Sequence, residues 1–234
     1  MDRPQPVSEE LERDLENLVS LNRWFGSHRL LRLFLRRWWQ IDGDYRVLDL
    51  CTGAGDLPRI MVNFARQRGI RLQVIAVDAN PATLEIARAR SAGYPEISFV
   101  EGSALTYGAP GEFDMVHCSL ALHHFSDADA SRILQRTALV GNRWVLVSDL
   151  ERSIFTTGGI WFLTELIYRD SMTRNDARIS AQRAFSFREF RILAEDAGWL
   201  GYGHGRFLFS RQALWLDRCA EVPQEDLQAE PCLG

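Results

Sequence analysis

The stretch Val47-Leu48-Asp49-Leu50-Cys51-Thr52-Gly53-Ala54-Gly55-Asp56 constrains this chain more than any other. An apolar run that stops at two closely spaced glycines reads as a strand entering a tight turn, and an amphipathic stretch from Pro58 to Gln67 follows as a helix. The unit recurs. Arg46 to Leu50, Leu72 to Val77, Ile97 to Val100, Phe113 to Cys118 and Trp144 to Val147 read as short strands. Pro81 to Arg90 and Ala128 to Leu139 read as further helices between them. Such alternation predicts an α/β fold with a doubly wound, mostly parallel sheet covered on both faces. Ligands of such sheets bind outside the carboxyl ends of the strands. Farther on, Phe187 to Ala197 reads as a helix ended by Gly198. Tyr202 to Leu216 is strand-like around glycines, an expected antiparallel hairpin at one sheet edge that brings the strands to seven.

The flanks differ in character. Residues 8 to 40 read as two helices, one with the stripe Leu11, Leu15, Leu18 and Leu21, the other with Leu30, Phe34 and Trp38 beside Leu31 and Leu35. Arg29, Arg32, Arg36 and Arg37 flank the second stripe. A basic amphipathic helix suits a membrane surface. It equally suits a helix packed on its own domain with solvated arginines outside, which is the expectation here. The organisation expected is an N-terminal helical lid over 1–42, a main domain over 43–216 with a helical insertion at about 152–184, and an acidic tail over 217–234. That tail carries Asp217, Glu221, Glu225, Asp226 and Glu230 against Arg218 alone, the whole of the formal charge of −4.

Composition then removes mechanisms. All 27 basic residues are arginine, with no lysine anywhere. Schiff-base, pyridoxal-phosphate and phosphate-loop chemistry each need a lysine amine and are excluded. A general base here must be His, Asp, Glu, Tyr or Cys, because arginine effectively never gives up its proton. The four cysteines, Cys51, Cys118, Cys219 and Cys232, show no metal-ligand spacing and fit a reducing compartment. An acidic N-terminal stretch without an apolar core, and no run approaching ~18 apolar residues, lead to the expectation of a cytoplasmic protein with no integral membrane segment.

The turn also excludes a dinucleotide. Pro58 stands where G-x-G-x-x-G requires its third glycine, and a carboxylate at Asp49 suits an ammonium rather than a pyrophosphate. Asp78 ends the second strand 23 residues beyond Gly55, where a carboxylate can accept from ribose hydroxyls; it can also serve as a turn acid before Pro81. With these acids, and with Phe113-Asp114-Met115-Val116-His117-Cys118-Ser119-Leu120, residues 44 to 150 resemble the Rossmann-like class I S-adenosylmethionine-dependent methyltransferases. The Asp-Leu-Cys-Thr-Gly-Ala-Gly-Asp variant resembles their ubiquinone and menaquinone branch, since most of the superfamily has glycine where Cys51 stands.

By position, the resemblance implies that Asp49 holds the methionine amine of S-adenosylmethionine and that Cys51, Gly53 and Gly55 form its turn. It implies Asp78 on the ribose, Ala79 beside the adenine, Ser103 and Ala104 near it, and Ser119 and Leu120 at the methionine end. Ser103 departs from the family's Gly-Asp-Ala pattern, which weakens an adenine contact there. His123 and His124 follow the fourth strand as candidate bases, or as a helix-start element. Asp149, ending the fifth strand, is a third catalytic candidate or a cap. Arg174 and Arg183 can bind an acceptor's carboxylate or carbonyl, or pair with nearby acids. The function implied is methyl transfer to an oxygen or activated carbon of a small aromatic, quinone-like or polyketide molecule. A cofactor-binding protein without transfer activity stays open. A nucleic-acid partner is not expected, because Ser119-Leu120-Ala121-Leu122 replaces the Asn/Asp-Pro-Pro-aromatic motif and no basic module is appended.

Overall fold

The computed structural model describes residues 8–24, 26–152 and 182–220. Seven strands make one sheet: β1 (Asp44–Leu50), β2 (Arg71–Asp78), β3 (Ile97–Glu101), β4 (Phe113–Ser119), β5 (Gly141–Leu150), β6 (Gly203–Phe207) and β7 (Arg211–Asp217). Their order is β3-β2-β1-β4-β5-β7-β6. The first five pair in parallel; β7 runs antiparallel between β5 and β6. The expected hairpin is therefore present, and its second strand, not its first, closes onto the parallel sheet. Strands β1 and β4 lie in the middle, with neighbours on both sides and helices on both faces. That explains why Val47–Leu50 is an unbroken apolar run around one aspartate rather than an alternation.

Among the described residues six α-helices flank the sheet: α1 (Glu9–Trp24), α2 (Ser27–Trp38), α3 (Asp56–Arg66), α4 (Pro81–Arg90), α5 (Asp127–Val140) and α6 (Phe187–Asp196). Successive strand residues point to opposite faces, so Val47 joins one core with α2 and α3 while Leu48 joins the other with α5 and α6. The first core is aromatic: Phe34 and Trp38 of α2 pack on Trp215 at 5.3 Å and Trp144 at 5.9 Å between ring centroids. Gly203 is glycine because the Trp215 indole occupies the place of a side chain. The second α2 stripe is thus internal, and the expectation of a helix packed on its own domain holds for its apolar face.

Boundaries move where local chemistry was hidden. Helix α3 starts two residues before Pro58, which falls within its first turn, where a missing N–H breaks no helical bond. Helix α5 runs straight into β5 without a turn, and the strand starts at Gly141 rather than Trp144. Strand β7 reaches Asp217, the first residue of the expected acidic tail, whose Oδ2 accepts from Trp38 Nε1 at 3.0 Å. The inserted segment expected at about 152–184 lies mostly outside the described residues.

Candidate active site

The turn after β1 divides the work between its glycines. Cys51, Gly53 and Gly55 all have left-handed backbone, at φ 55°, 54° and 68°. A non-glycine residue there costs on the order of 1–2 kcal/mol, which is the physical reason glycine is common at the position Cys51 occupies. A side chain added at Gly53 would meet nothing, so the backbone is open to a ligand there. One added at Gly55 would run into the Phe99 ring at 2.9 Å, so this glycine serves packing. Among the described residues the Thr52 hydroxyl is buried without a partner, an orphan a ligand could satisfy. Helix α3 begins here with no side-chain cap, whereas α4, α5 and α6 are capped by Asn80, Ser126 and Ser186. Its first N–H groups are left without a side-chain acceptor at the end that favours negative charge.

Asp78 ties this turn to the end of β2. Its Oδ2 accepts from Gly53 N at 2.9 Å and its Oδ1 from Asn80 N at 3.0 Å. Burial pushes the carboxyl above its ordinary value and Asp49 adds to this, while those N–H groups oppose it. The turn-acid role is therefore real; each oxygen keeps a lone pair for a hydroxyl.

Two buried Asp–His pairs stand beside it. Parallel pairing of β1 and β4 sets Asp49 opposite His117, and His117 Nδ1 donates to Asp49 Oδ1 at 2.6 Å. Among the described residues the second oxygen of Asp49 accepts no hydrogen bond. The other pair lies at the carboxyl rim. His123, in the 3₁₀ turn Leu122–His124 after β4, donates from Nδ1 to Asp149 Oδ1 at 2.6 Å, and its backbone N–H donates to Oδ2 at 3.1 Å. Burial would raise the Asp149 carboxyl, but the His123 charge and hydrogen bonds, with the Leu150 N–H, together hold it below its ordinary value. The fully buried Arg211 stands near, its guanidinium pushed down to about 10 by burial, with Asp149 working against that shift. Among the described residues His123 Nε2 is buried with no partner.

The expected catalytic residues thus divide. His123 and Asp149 form one unit; His124 is exposed, its ring centroid 4.1 Å from that of His123. Ser119 and Ser148 pair hydroxyls across β4 and β5 at 2.9 Å, and Leu120 turns the chain with φ 56°. Ala79 and Ser103 are exposed at the ends of β2 and β3, with Ala104 buried. Arg183 is exposed, and Arg174 lies outside the described residues. The thiols of Cys51 and Cys118 are hydrogen-bonded; that contact and burial push Cys118 well above its ordinary value. His117, Thr52 and Arg211 were not singled out from sequence. A histidine inside an apolar central strand was the available signal, since a buried imidazole needs a partner.

The N-terminal helices reach this turn. Leu11 and Leu15 of α1 pack with Ala54, between the two glycines, and with Ala82 and Ile86 of α4. His28 Nε2 and Asn22 Nδ2 contact Asp56 Oδ2, at the start of α3, at 2.9 and 3.3 Å.

Residues 47–141 match the family described as a methyltransferase domain. The chain is 31% identical to the 2-phytyl-1,4-naphtoquinone methyltransferase of Thermosynechococcus vestitus, over 61% of this chain and 64% of that one. It is also 31% identical to the protein of the same name from Trichormus variabilis, over 63% and 67%. The chain thus spans about two thirds of the length of these relatives. A methyltransferase from Aquifex aeolicus, described as SAM-dependent, shares the fold with a TM-score of 0.63 at 14% identity, covering 87% of this chain and 96% of that one. The chain belongs to the class I S-adenosylmethionine-dependent methyltransferases, and its likeness there is to the quinone-methylating branch.

Proposed function

We propose that this chain moves the methyl group of S-adenosylmethionine to an oxygen or activated carbon of a small aromatic, quinone-like molecule, with His123 as the base. The observation that carries the reading is the buried Nε2 of His123, unpartnered at the carboxyl rim while Asp149 holds the opposite ring nitrogen. The residues of the turn suit the cofactor. The unused oxygen of Asp49 would take its ammonium, Asp78 and the Thr52 hydroxyl would meet its hydroxyls, and the open face of Gly53 would admit it closely. Cys51, Ser119 and Leu120 would line its methionine end, and Ala79, Ser103 and Ala104 its adenine end. The bound sulfonium supplies an electrophilic methyl group.

The rest falls to the protein. Asp149 keeps the proton on Nδ1 of His123, so Nε2 is the acceptor that can take a proton from a hydroquinone hydroxyl or an acidic ring carbon. Without lysine no amine base competes for that role. Helices α1 and α2 would act as the lid, since they already touch Ala54 and Asp56. Arg174 and Arg183 remain candidates for an acceptor carbonyl. The test is incubation with methyl-labelled S-adenosylmethionine and a panel of demethylated naphthoquinols, benzoquinols and simple phenols, followed by mass analysis. Label on a quinol ring carbon or oxygen is expected; binding of the cofactor with no label on any acceptor would overturn the reading.

A further inference from the structure

Two of the cysteines meet, and no step of methyl transfer uses either thiol. Cys118 is buried near the end of β4, and Cys51 is half-buried in the turn after β1. The parallel register sets Leu50 opposite Cys118, so Cys51 stands one residue past that partner. Strands about 4.8 Å apart with a rise of about 3.3 Å per residue then put the two Cα atoms roughly 6 Å apart, within the range a disulfide spans. Direction is the harder condition. In a continuing strand Cys51 would point to the face opposite Leu50 and Cys118. Its left-handed backbone, φ 55°, breaks that alternation, and Cys51 packs against the core that holds Cys118. The two thiols are in hydrogen-bond contact there.

The pair sits where a change would be felt. The next two residues hang from the end of β2, Thr52 N–H donating to Val77 O and Gly53 N–H to Asp78 Oδ2. Cys118 is also near both Asp–His pairs. The Cys51 contact and burial push its thiol well above the ordinary value, and Asp149 and Asp49 add to the push. A thiol held protonated this way is a poor nucleophile, so Cys118 does not compete with an acceptor for a methyl group. Exposure then divides the roles. Cys51 is the sulfur that a reagent from outside can reach, and Cys118 meets only what forms on Cys51. Cys219, by contrast, is exposed beyond β7.

We propose that Cys51 and Cys118 form a redox modification site, closed to a disulfide by hydroperoxides and reopened by thiols, and that closing it loosens the cofactor. A hydroperoxide gives its outer oxygen to the Cys51 sulfur: the O–O bond breaks, an alcohol or water leaves, and Cys51 becomes a sulfenic acid. The Cys118 sulfur then attacks that of Cys51, the S–O bond breaks, and the Cys118 proton leaves with the hydroxyl as water. The two thiols lose two electrons and the peroxide gains them. A covalent bond is shorter than a contact between the same two sulfurs, so closure draws Cys51 toward β4 and takes the start of the turn with it. A glycine in place of Cys51 could form no such bond. The effect on the cofactor rests on its proposed seat at this turn; the disulfide does not.

Hydrogen peroxide on the full chain tests it. Without lysine, trypsin cuts only after arginine, so Cys51 falls in the peptide 47–59 and Cys118 in 91–132. Once remaining thiols are blocked with N-ethylmaleimide, these two peptides should be found linked, and dithiothreitol should part them. Calorimetry should show S-adenosylmethionine bound about tenfold more weakly by the oxidised protein, roughly the worth of one hydrogen bond, with full recovery in dithiothreitol. Cys118→Ala should bind normally before exposure and lose that recovery after it. Its Cys51 has no resolving partner and runs on to the sulfinic acid, two oxygens heavier, which dithiothreitol does not reverse. A link from 47–59 to 219–234 instead, or no link at all, would overturn the proposal. So would a linked protein that binds the cofactor as well as the reduced one. None of these measurements involves methyl transfer, so a panel of acceptors that stays unlabelled would sink the proposed reaction and leave this site standing.

Discussion

Asp49–His117 and Asp149–His123 share a chemistry and a distance, 2.6 Å in each, yet they are built for different work. The first joins two central strands side by side in register, and Asp49 keeps its second oxygen for something else. The second joins a strand end to a 3₁₀ turn, uses both carboxylate oxygens, and leaves the histidine's far nitrogen without a partner among the described residues. On the proposed function the acid is the group offered outward in one pair, and the base in the other. A third histidine completes the contrast. His204 stacks on Phe187 at 3.7 Å and faces Gln212 at 3.4 Å, an amide in place of a carboxylate, and burial lowers it from 6.5 to about 4.

Substitutions can break the comparison in order of expected size. His123→Gln should lower kcat about 10²–10⁴-fold while cofactor affinity by calorimetry stays put. Wild-type turnover in that variant would make the second pair structural. Asp49→Ala should weaken the cofactor by about a hundredfold or more, because an ammonium in a buried site loses its counter-charge. Unchanged affinity would mean that Asp49 serves His117 alone.

His204 should show in stability and not in catalysis. It stays neutral in the folded protein down to about 4, while the unfolded chain takes up the proton near 6.5. Stability is then fully present above 6.5 and falls with pH toward 4, by roughly 2–3 kcal/mol after allowing for partial exposure. Urea titrations across that window should show the slope, and His204→Phe should flatten it. The smallest effect is expected from His117→Val, which removes the partner of Asp49 but leaves its charge. About a tenfold loss of cofactor affinity should appear, with kcat at saturating cofactor unchanged. A fall in kcat instead would place His117 nearer the reacting atoms than the strand register does.

Much was readable from residues alone because it is local. Alternating strand and helix patterns, a glycine turn after the first strand, Pro81 opening α4 and an acid at the end of β2 each follow from a few consecutive residues. The order of the last two strands was not local, since β7 lies between β5 and β6 only once a hairpin has folded back on the sheet. The same holds for the site. Asp49, Gly53 and Asp78 could be named from their spacing, whereas the partnership of Asp49 with His117 spans 68 residues and that of His123 with Asp149 spans 26. Sequence determined which residues carry charge and where the chain can bend. Strand register decided which acid faces which imidazole, because a shift of one residue would turn Asp49 to the other face of the sheet. Packing decided that Gly53 is open and Gly55 closed, since only the folded chain brings Phe99 against one of them.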